Sequence, residues 1–214
     1  MKAPELIAAL KSVRVVPVLD PKSHDECLAA VDALIEGGGR AIEITLRTDP
    51  AHDVFRSVRA AHPEIVLGAG SVMDRDTFDQ AVEMGADFTI SPGRCIELED
   101  HTRDADVAHI PGVITPGEII SARRAGQKLL KFYPAEGFGG AATLKDFCRI
   151  FPDVQFMPSG GIKEPKLPGY AELPGVLSVG GSWMYAKSGV YRPLPEMTTV
   201  MAQSIATMTA ASLA

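Results

Sequence analysis

The 214-residue sequence has little of several features that mark particular classes of protein. No apolar run approaches the roughly 20 residues of a membrane-spanning helix, so no membrane partner is expected. Residues 1–7 lack the long apolar stretch of a signal peptide. The three cysteines, Cys27, Cys95 and Cys148, are far apart and odd in number, which argues against a disulfide framework. We therefore expect a soluble protein with a cytoplasmic location.

Basic residues are also few, with 21 Lys and Arg against 27 Asp and Glu and a net charge of −6 when histidine is neutral. No basic stripe stands out, which argues against nucleic acid as a partner. Any phosphate-binding site must therefore be local. The five histidines show no metal-ligand spacing, so no metal site is predicted.

Hydrophobic residues make up 46% of the chain, enough for a sizeable core. Short apolar runs alternate along the sequence with amphipathic segments. Strands are predicted at 13–19, 41–47, 65–71, 88–92, 108–113, 128–133, 155–159 and 176–179. Helices are predicted at 25–36, 53–61, 74–84 and 116–125.

This alternation predicts parallel strand pairing in an α/β fold. About eight repeats favour a single (β/α)8 TIM barrel, with an open doubly wound sheet as the alternative. An extra N-terminal helix is predicted at 1–12, and no linker divides residues 1–214, so one domain is expected. Three prolines within 164–175 predict a short or distorted helix there.

One charged residue lies inside an apolar run, since Lys131 interrupts "LLKFYP". In 41–47 the even-numbered aliphatic residues share one strand face, and Glu43, Thr45 and Arg47 share the other. If that second face lines a barrel interior, Glu43 can meet Lys131 across it. Two structural alternatives stay open, namely a purely structural buried ion pair and a Lys131 whose amine reaches solvent on the outer face.

Glycine-rich stretches close three predicted strands: "GAGS" at 68–71, "PSGG" at 158–161 and "VGGS" at 179–182. Turns after the seventh and eighth strands of a barrel commonly bind phosphate through exposed backbone N–H groups. The last two stretches therefore predict a phosphate site. "SPG" at 91–93 ends a strand at the same rim.

Taken together, these stretches resemble the class I 2-keto-3-deoxy-6-phosphogluconate (KDPG) aldolases. The matching stretches, in family order from 15 to 183, are "VVPVL", "ALIEGGGRAIEITLRT", "VLGAGSV", "GADFTISPG", "HIPGVITPGE", "LLKFYPAE", "FMPSGGI" and "SVGGSW". The resemblance implies a homotrimeric (β/α)8 barrel. It also implies a lyase that needs no metal or other cofactor and that cleaves a phosphorylated keto sugar acid into pyruvate and glyceraldehyde 3-phosphate.

The resemblance also implies roles for individual residues. Lys131 matches the Schiff-base lysine, and Glu43 matches the glutamate that transfers protons. Burial in an apolar run disfavours a charged amine, which suits a lysine nucleophile. The family's pyruvate-binding residues correspond to Arg47, Ser71 and Pro92. Its sugar- and phosphate-binding positions correspond to Tyr133, Ser159, Gly160, Gly161, Gly180, Gly181 and Ser182.

The sequence departs from the family pattern at three of these positions. Ser71 and Ser159 stand where threonine is usual, and Tyr133 stands where phenylalanine is common. Relatives that prefer the galactonate epimer tend to carry an aliphatic residue at the position of Ser159. The hydroxyl of Ser159 therefore favours the gluconate substrate.

Other functions stay open at this point. Two are close relatives of the first, cleavage of 4-hydroxy-2-oxoglutarate (KHG) and cleavage of the 6-phosphogalactonate epimer. A third is a phosphosugar-binding barrel without catalysis. A fourth is a structural protein in which Glu43 and Lys131 form only a core ion pair.

Overall fold

The structure is a computed structural model that describes residues 1–210. Within them, nine α-helices span Ala3–Val13 (α1), His24–Glu36 (α2), Ala51–Ala61 (α3), Arg75–Glu83 (α4), Ile96–Thr102 (α5), Pro116–Arg124 (α6), Gly140–Ile150 (α7), Leu167–Ala171 (α8) and Leu194–Ala210 (α9). The strands are Val15–Leu19 (β1), Ala41–Thr45 (β2), Val66–Gly70 (β3), Phe88–Ile90 (β4), Ala108–Ile110 (β5), Gly112–Val113 (β6), Leu129–Phe132 (β7), Gln155–Pro158 (β8), Val179–Gly181 (β9), Ala186–Lys187 (β10) and Val190–Tyr191 (β11).

The main strands form two parallel sheets, one of six strands in the order β5-β4-β3-β2-β1-β9 and one of three in the order β6-β7-β8. From β1 to β5 the order follows the chain without the reversal that defines a doubly wound sheet. Isolated parallel bridges pair Phe156 with Val176 and Ser159 with Gly180. The chain is thus an α/β fold built on a curled parallel sheet, and the predicted alternation of strands and helices is confirmed.

Helix α1 packs against the start of several strands. Leu6 and Leu10 share a buried cluster with Val16 and Leu129. The backbone carbonyl of Met1 accepts a hydrogen bond of 2.9 Å from the N–H of the first residue of β5. The helix predicted at 1–12 is therefore present, and it lies against the amino ends of the strands. Of the helices in residues 1–210, none is both long and apolar enough to span a membrane.

The last predicted strand lies three residues too early. Val176 forms only an isolated bridge, whereas β9 begins at Val179 and includes Gly180 and Gly181. Glycine disfavours strands, but its small size suits the close packing here, because a Cβ on Gly180 would lie 3.1 Å from the terminal methyl group of Met157. The proline-containing segment forms a 3-10 turn at Glu164–Lys166 and the five-residue α8, as short as predicted.

A buried histidine ties β4 to β5. The ring of His109 forms hydrogen bonds with the hydroxyls of Thr89, at 2.9 Å from Nδ1, and Ser91, at 3.2 Å from Nε2. His109 is only 7% exposed, and this burial lowers its pKa to about 4. The folded chain therefore holds the imidazole in its neutral form well below neutral pH.

We predict that His109 makes the protein lose stability in mild acid. The unfolded chain has an ordinary histidine, so its pKa of about 6.5 lies above the folded value. The stability due to neutral His109 is complete above that pH and is lost as pH falls toward 4. Urea unfolding at pH 7 and 4.5 should show a loss that is about 2–3 kcal/mol smaller in His109→Gln than in the unsubstituted protein. Equal losses in the two proteins would contradict this.

Candidate active site

Two oppositely charged side chains meet in the interior, from β2 and β7. The Nζ of Lys131 lies 3.3 Å from Oε1 of Glu43, and their side chains are 7% and 0% exposed. The predicted meeting of these residues is confirmed. The other oxygen of Glu43, Oε2, is buried and has no hydrogen-bond partner among residues 1–210. A buried carboxylate with a free oxygen is costly to the fold, and this oxygen can accept a proton from a molecule that enters.

The neighbouring backbone leaves room for this pair. A Cβ on Gly70, at the end of β3, would lie 2.3 Å from Oε1 of Glu43, so glycine is required there. The residues flanking Lys131, Leu130 and Phe132, are completely buried and belong to the larger apolar cluster. The sequence thus surrounds one amine with apolar side chains and a single carboxylate.

A cavity of about 690 Å³ opens at the carboxyl ends of β2 and β7, the strands that carry the pair. Thr45 and Tyr133, the next residues on the strand faces of Glu43 and Lys131, both line it. The ring of Tyr133 lies with its centroid 5.2 Å from Nζ of Lys131, within the range of a cation–π contact. The pair therefore lies one layer of side chains beneath the cavity.

Arg47 lines the same cavity and is held by an acidic residue. Its Nε lies 3.0 Å from Oδ1 of Asp20, and the hydroxyl of Thr45 donates to the same oxygen at 2.9 Å. The hydrogen bond with Asp20 raises the pKa of Arg47. Within residues 1–210 the terminal Nη1 and Nη2 groups of Arg47 form no hydrogen bond, since its contact with Asp20 is made through Nε. These two groups can hold a carboxylate by paired hydrogen bonds.

Asp20 was not among the site residues predicted from the sequence. Partial burial alone would raise its pKa, but the hydrogen bonds from Arg47 and Thr45 outweigh burial and leave the pKa below its usual value. The only signal in the sequence is its position directly after β1, at the rim where functional groups of parallel folds collect.

The glycine-rich turns border the opposite side of the cavity, through Ser159, Gly160, Gly161, Gly181 and Ser182. Gly160 and Gly161 have φ angles of 98° and 78°, which side chains other than glycine rarely adopt. The turn is fixed to the loop after β7, since the N–H of Ala135 donates to the carbonyl of Ser159 at 2.8 Å. Backbone N–H groups of such turns can bind anions.

Five predicted site residues lie outside the set that lines this cavity in the described part of the chain, namely the buried Glu43 and Lys131 beneath it and Ser71, Pro92 and Gly180. Ser71, half-buried after β3, has a left-handed φ of 63°. Pro92 is exposed after β4, and its backbone packs against Gly112. Gly180 is buried inside β9. Ser71 and Pro92 still follow the carboxyl ends of their strands, on the rim that also carries Arg47.

No group of three or more His, Cys, Asp or Glu side chains within 1–210 is arranged to hold a metal ion. All three cysteines carry free thiols. Cys27 and Cys148 are buried, and burial raises the pKa of both thiols, to about 11 for Cys27. The titratable groups directly beneath the cavity are thus the carboxylate of Glu43 and the amine of Lys131.

Residues 6–197 match the family model described as "Aldolase: KDPG and KHG aldolase". The chain is 40% identical over 182 residues to the 2-dehydro-3-deoxy-phosphogluconate aldolase of Pseudomonas aeruginosa, covering 85% of this chain and 83% of the relative.

Two solved structures are also similar. The 2-keto-3-deoxy-6-phospho-gluconate aldolase from Zymomonas mobilis superposes with a TM-score of 0.89 at 33% identity, covering 95% of this chain and 98% of that one. The KDPG aldolase from Legionella pneumophila, solved with pyruvate captured as a covalent carbinolamine intermediate, gives a TM-score of 0.81 at 31% identity over 96% and 97% of the two chains.

We predict that the stability of the buried pair depends on both of its members. Lys131→Met removes the amine and leaves both oxygens of Glu43 without a partner, so the free energy of unfolding should fall by about 3–5 kcal/mol. Adding Glu43→Met removes the stranded carboxylate and should restore most of that loss. Urea unfolding of the two single variants and the double variant forms a complete cycle. Losses that simply add in the double variant would show that the two side chains do not interact.

Proposed function

The chain belongs to the KDPG and KHG aldolase family, and on that footing we propose that it is a class I aldolase cleaving KDPG to pyruvate and glyceraldehyde 3-phosphate. The observation that carries this proposal is the arrangement around the cavity. A buried amine and a carboxylate lie beneath it, a guanidinium with free donors lies on one side, and glycine-rich turns lie on the other. A sugar acid with a carboxylate at one end and a phosphate at the other matches these groups in order.

In the proposed reaction, Lys131 is the nucleophile. Its neutral amine attacks the C2 carbonyl of the keto acid to give a carbinolamine, which loses water to form an iminium ion. The iminium accepts the electron pair of the C3–C4 bond when that bond breaks. Glyceraldehyde 3-phosphate leaves as the aldehyde, and an enamine of pyruvate stays on the lysine.

Glu43 transfers the protons that this sequence needs. Its carboxylate takes the proton of the C4 hydroxyl as the C3–C4 bond breaks, and it later returns a proton to C3 of the enamine. Water then hydrolyses the resulting iminium, which releases pyruvate and restores the amine. The unpartnered Oε2 of Glu43 is the atom available to receive the first proton.

The two ends of the substrate are bound by residues other than those that act on the reacting carbons. Arg47 binds the C1 carboxylate with its free Nη groups, and Ser71 and Pro92 complete the pyruvate end from the adjacent rim. Tyr133 and Ser159 contact the sugar carbons. The phosphate is bound after β8 and at the end of β9, by Gly160, Gly161, Gly181 and Ser182, which line the cavity. Binding of the remote phosphate orients the keto carbon toward Lys131.

We infer further that the two sheets close into one (β/α)8 barrel with α1 as an extra N-terminal helix. The bridges between β8 and the segment that leads into β9 support one junction. At the other junction, β5 and β6 are separated only by Pro111, whose carbonyl accepts from the N–H of Lys131 at 3.0 Å. The last residue of β5, Ile110, bonds to the other side, since its carbonyl accepts from the N–H of Ser91, after β4, at 3.1 Å. The segment from β5 to β6 is therefore hydrogen-bonded to both sheets.

The remaining expectations from the sequence and from the family resemblance belong to the same proposal. They are a single domain over residues 1–214, of which 211–214 lie outside the described residues, a homotrimeric assembly and a cytoplasmic location. The preference for gluconate over galactonate is supported by the hydroxyl of Ser159, which is buried and lines the cavity.

KHG cleavage is the second candidate, because the matched family model names both substrates. KHG shares the keto acid half of KDPG and has a carboxylate in place of the phosphorylated tail. The same Lys131 chemistry would cleave it. Relative rates on the two substrates decide between these candidates.

We predict that Lys131→Met lowers kcat for KDPG cleavage by at least about 10³-fold, since no other group replaces the covalent nucleophile. The matched control is Lys128→Met, three residues earlier, where the amine pairs with Asp153 at an exposed site. That variant should keep the unsubstituted rate. Coupled detection of pyruvate release measures both. A Lys131→Met protein that is folded and still active would contradict the proposed chemistry, and unsubstituted protein inactive on both KDPG and KHG would contradict the proposed function.

A further inference from the structure

Asp20 lies between the two groups that are proposed to bind the ends of the substrate. Strand β1 lies between β2 and β9, pairing Val18 with Glu43 on one side and Pro17 with Gly181 on the other. Asp20 follows β1 directly and lines the cavity. It therefore lies between Arg47, after β2, and the glycine-rich turn of β9. The middle carbons of a substrate held at both ends must pass this position.

Within residues 1–210, the carboxylate of Asp20 forms hydrogen bonds through only one of its two oxygens. Oδ1 accepts both the Nε hydrogen bond of Arg47 and the hydroxyl of Thr45. Oδ2 forms no hydrogen bond in the described part of the chain, and the side chain is 34% exposed. One acceptor oxygen is thus fixed by the protein while the other stays available to a ligand.

The backbone beside this carboxylate is also held. The hydroxyl of Tyr185 donates to the carbonyl of Val18 at 2.9 Å and accepts from the N–H of Asp20 at 3.3 Å. Tyr185 is buried, and this burial raises the pKa of its hydroxyl to about 12, so it stays a hydrogen-bond donor at neutral pH. The position of Asp20 is therefore set from both its main chain and its side chain before substrate arrives.

A charged carboxylate accepts hydrogen bonds and donates none. A substrate hydroxyl can donate to the free oxygen of Asp20, whereas a substrate carboxylate cannot and would bring like charges together in a partly enclosed cavity. The two candidate substrates differ in this respect, since C5 carries a hydroxyl in KDPG and is itself the second carboxylate in KHG.

We propose that Asp20 determines specificity, accepting a hydrogen bond from a hydroxyl on the middle carbons of KDPG and disfavouring the second carboxylate of KHG. This inference rests on the proposed function and deepens it, because it assigns the discrimination between the two family substrates to one side chain. Arg47 and the glycine-rich turns bind the ends of the substrate, and Asp20 contacts the hydroxyl on the carbons between them.

The test compares kcat/KM for KDPG and KHG in the unsubstituted protein and in Asp20→Asn. The amide keeps an oxygen for Arg47 and Thr45, removes the negative charge, and can present an N–H to a carboxylate. The ratio of kcat/KM for KDPG to that for KHG should fall by roughly tenfold or more, through loss on KDPG, gain on KHG or both. Asp20→Ser should shift the ratio in the same direction, and thermal unfolding verifies that each variant is folded.

The matched control is Asp53→Asn on α3, which removes a carboxylate from an exposed Asp–Arg pair with Arg56, away from the cavity. It should leave the ratio unchanged. If Asp20→Asn lowers both substrates by the same factor, Asp20 only holds Arg47 and the inference is wrong. An unsubstituted protein that prefers KHG also overturns it. If that protein cleaves neither substrate, the proposed function itself fails.

Discussion

The buried contact between Lys131 and Glu43 is the constraint on which the rest of the structure depends. Burial of two charges is expensive, and the fold must provide close contact and a fitted space to tolerate it. Gly70 supplies that space, since any larger residue would collide with the carboxylate. The contact satisfies one oxygen of Glu43 and leaves the other without a hydrogen-bond partner in the described part of the chain. The protein thus keeps an incompletely satisfied polar group at the point where we place the chemistry.

Above this pair, the parallel topology arranges the binding groups in a fixed order. Neighbouring strands bring Arg47, Asp20 and the turn at Gly181–Ser182 side by side along one rim. A substrate with different chemical groups at its two ends and in its middle can therefore contact a different side chain or turn with each of them. Cleavage and specificity are assigned to separate layers, with the amine and carboxylate below and the groups that recognise the substrate above.

The alternation of side chains between the two faces of a strand explains which contact could be predicted from the sequence. Because side chains alternate faces, placing Glu43 and Lys131 on inward faces was enough to predict their contact. Asp20 could not be predicted as a partner of Arg47, since a lone acidic residue after a strand has no motif. Helix α5 was not among the predicted helices. Its sequence, "IELEDHT", is mostly polar, so its hydrophobic periodicity is weak. The glycines of β9 resembled a loop, because only tertiary packing shows why that strand contains them: a Cβ on Gly180 would crowd Met157, and one on Gly181 would overlap the ring of Trp183.

The most direct measurement of the central claim is covalent trapping of the keto acid. The folded protein is incubated with pyruvate, reduced with sodium borohydride and digested, and the modified peptide is identified by mass spectrometry. The proposed chemistry predicts one reduced pyruvyl group, attached to Lys131 through a stable secondary amine. No adduct in folded protein, or an adduct confined to other lysines, would contradict a Schiff-base role for Lys131.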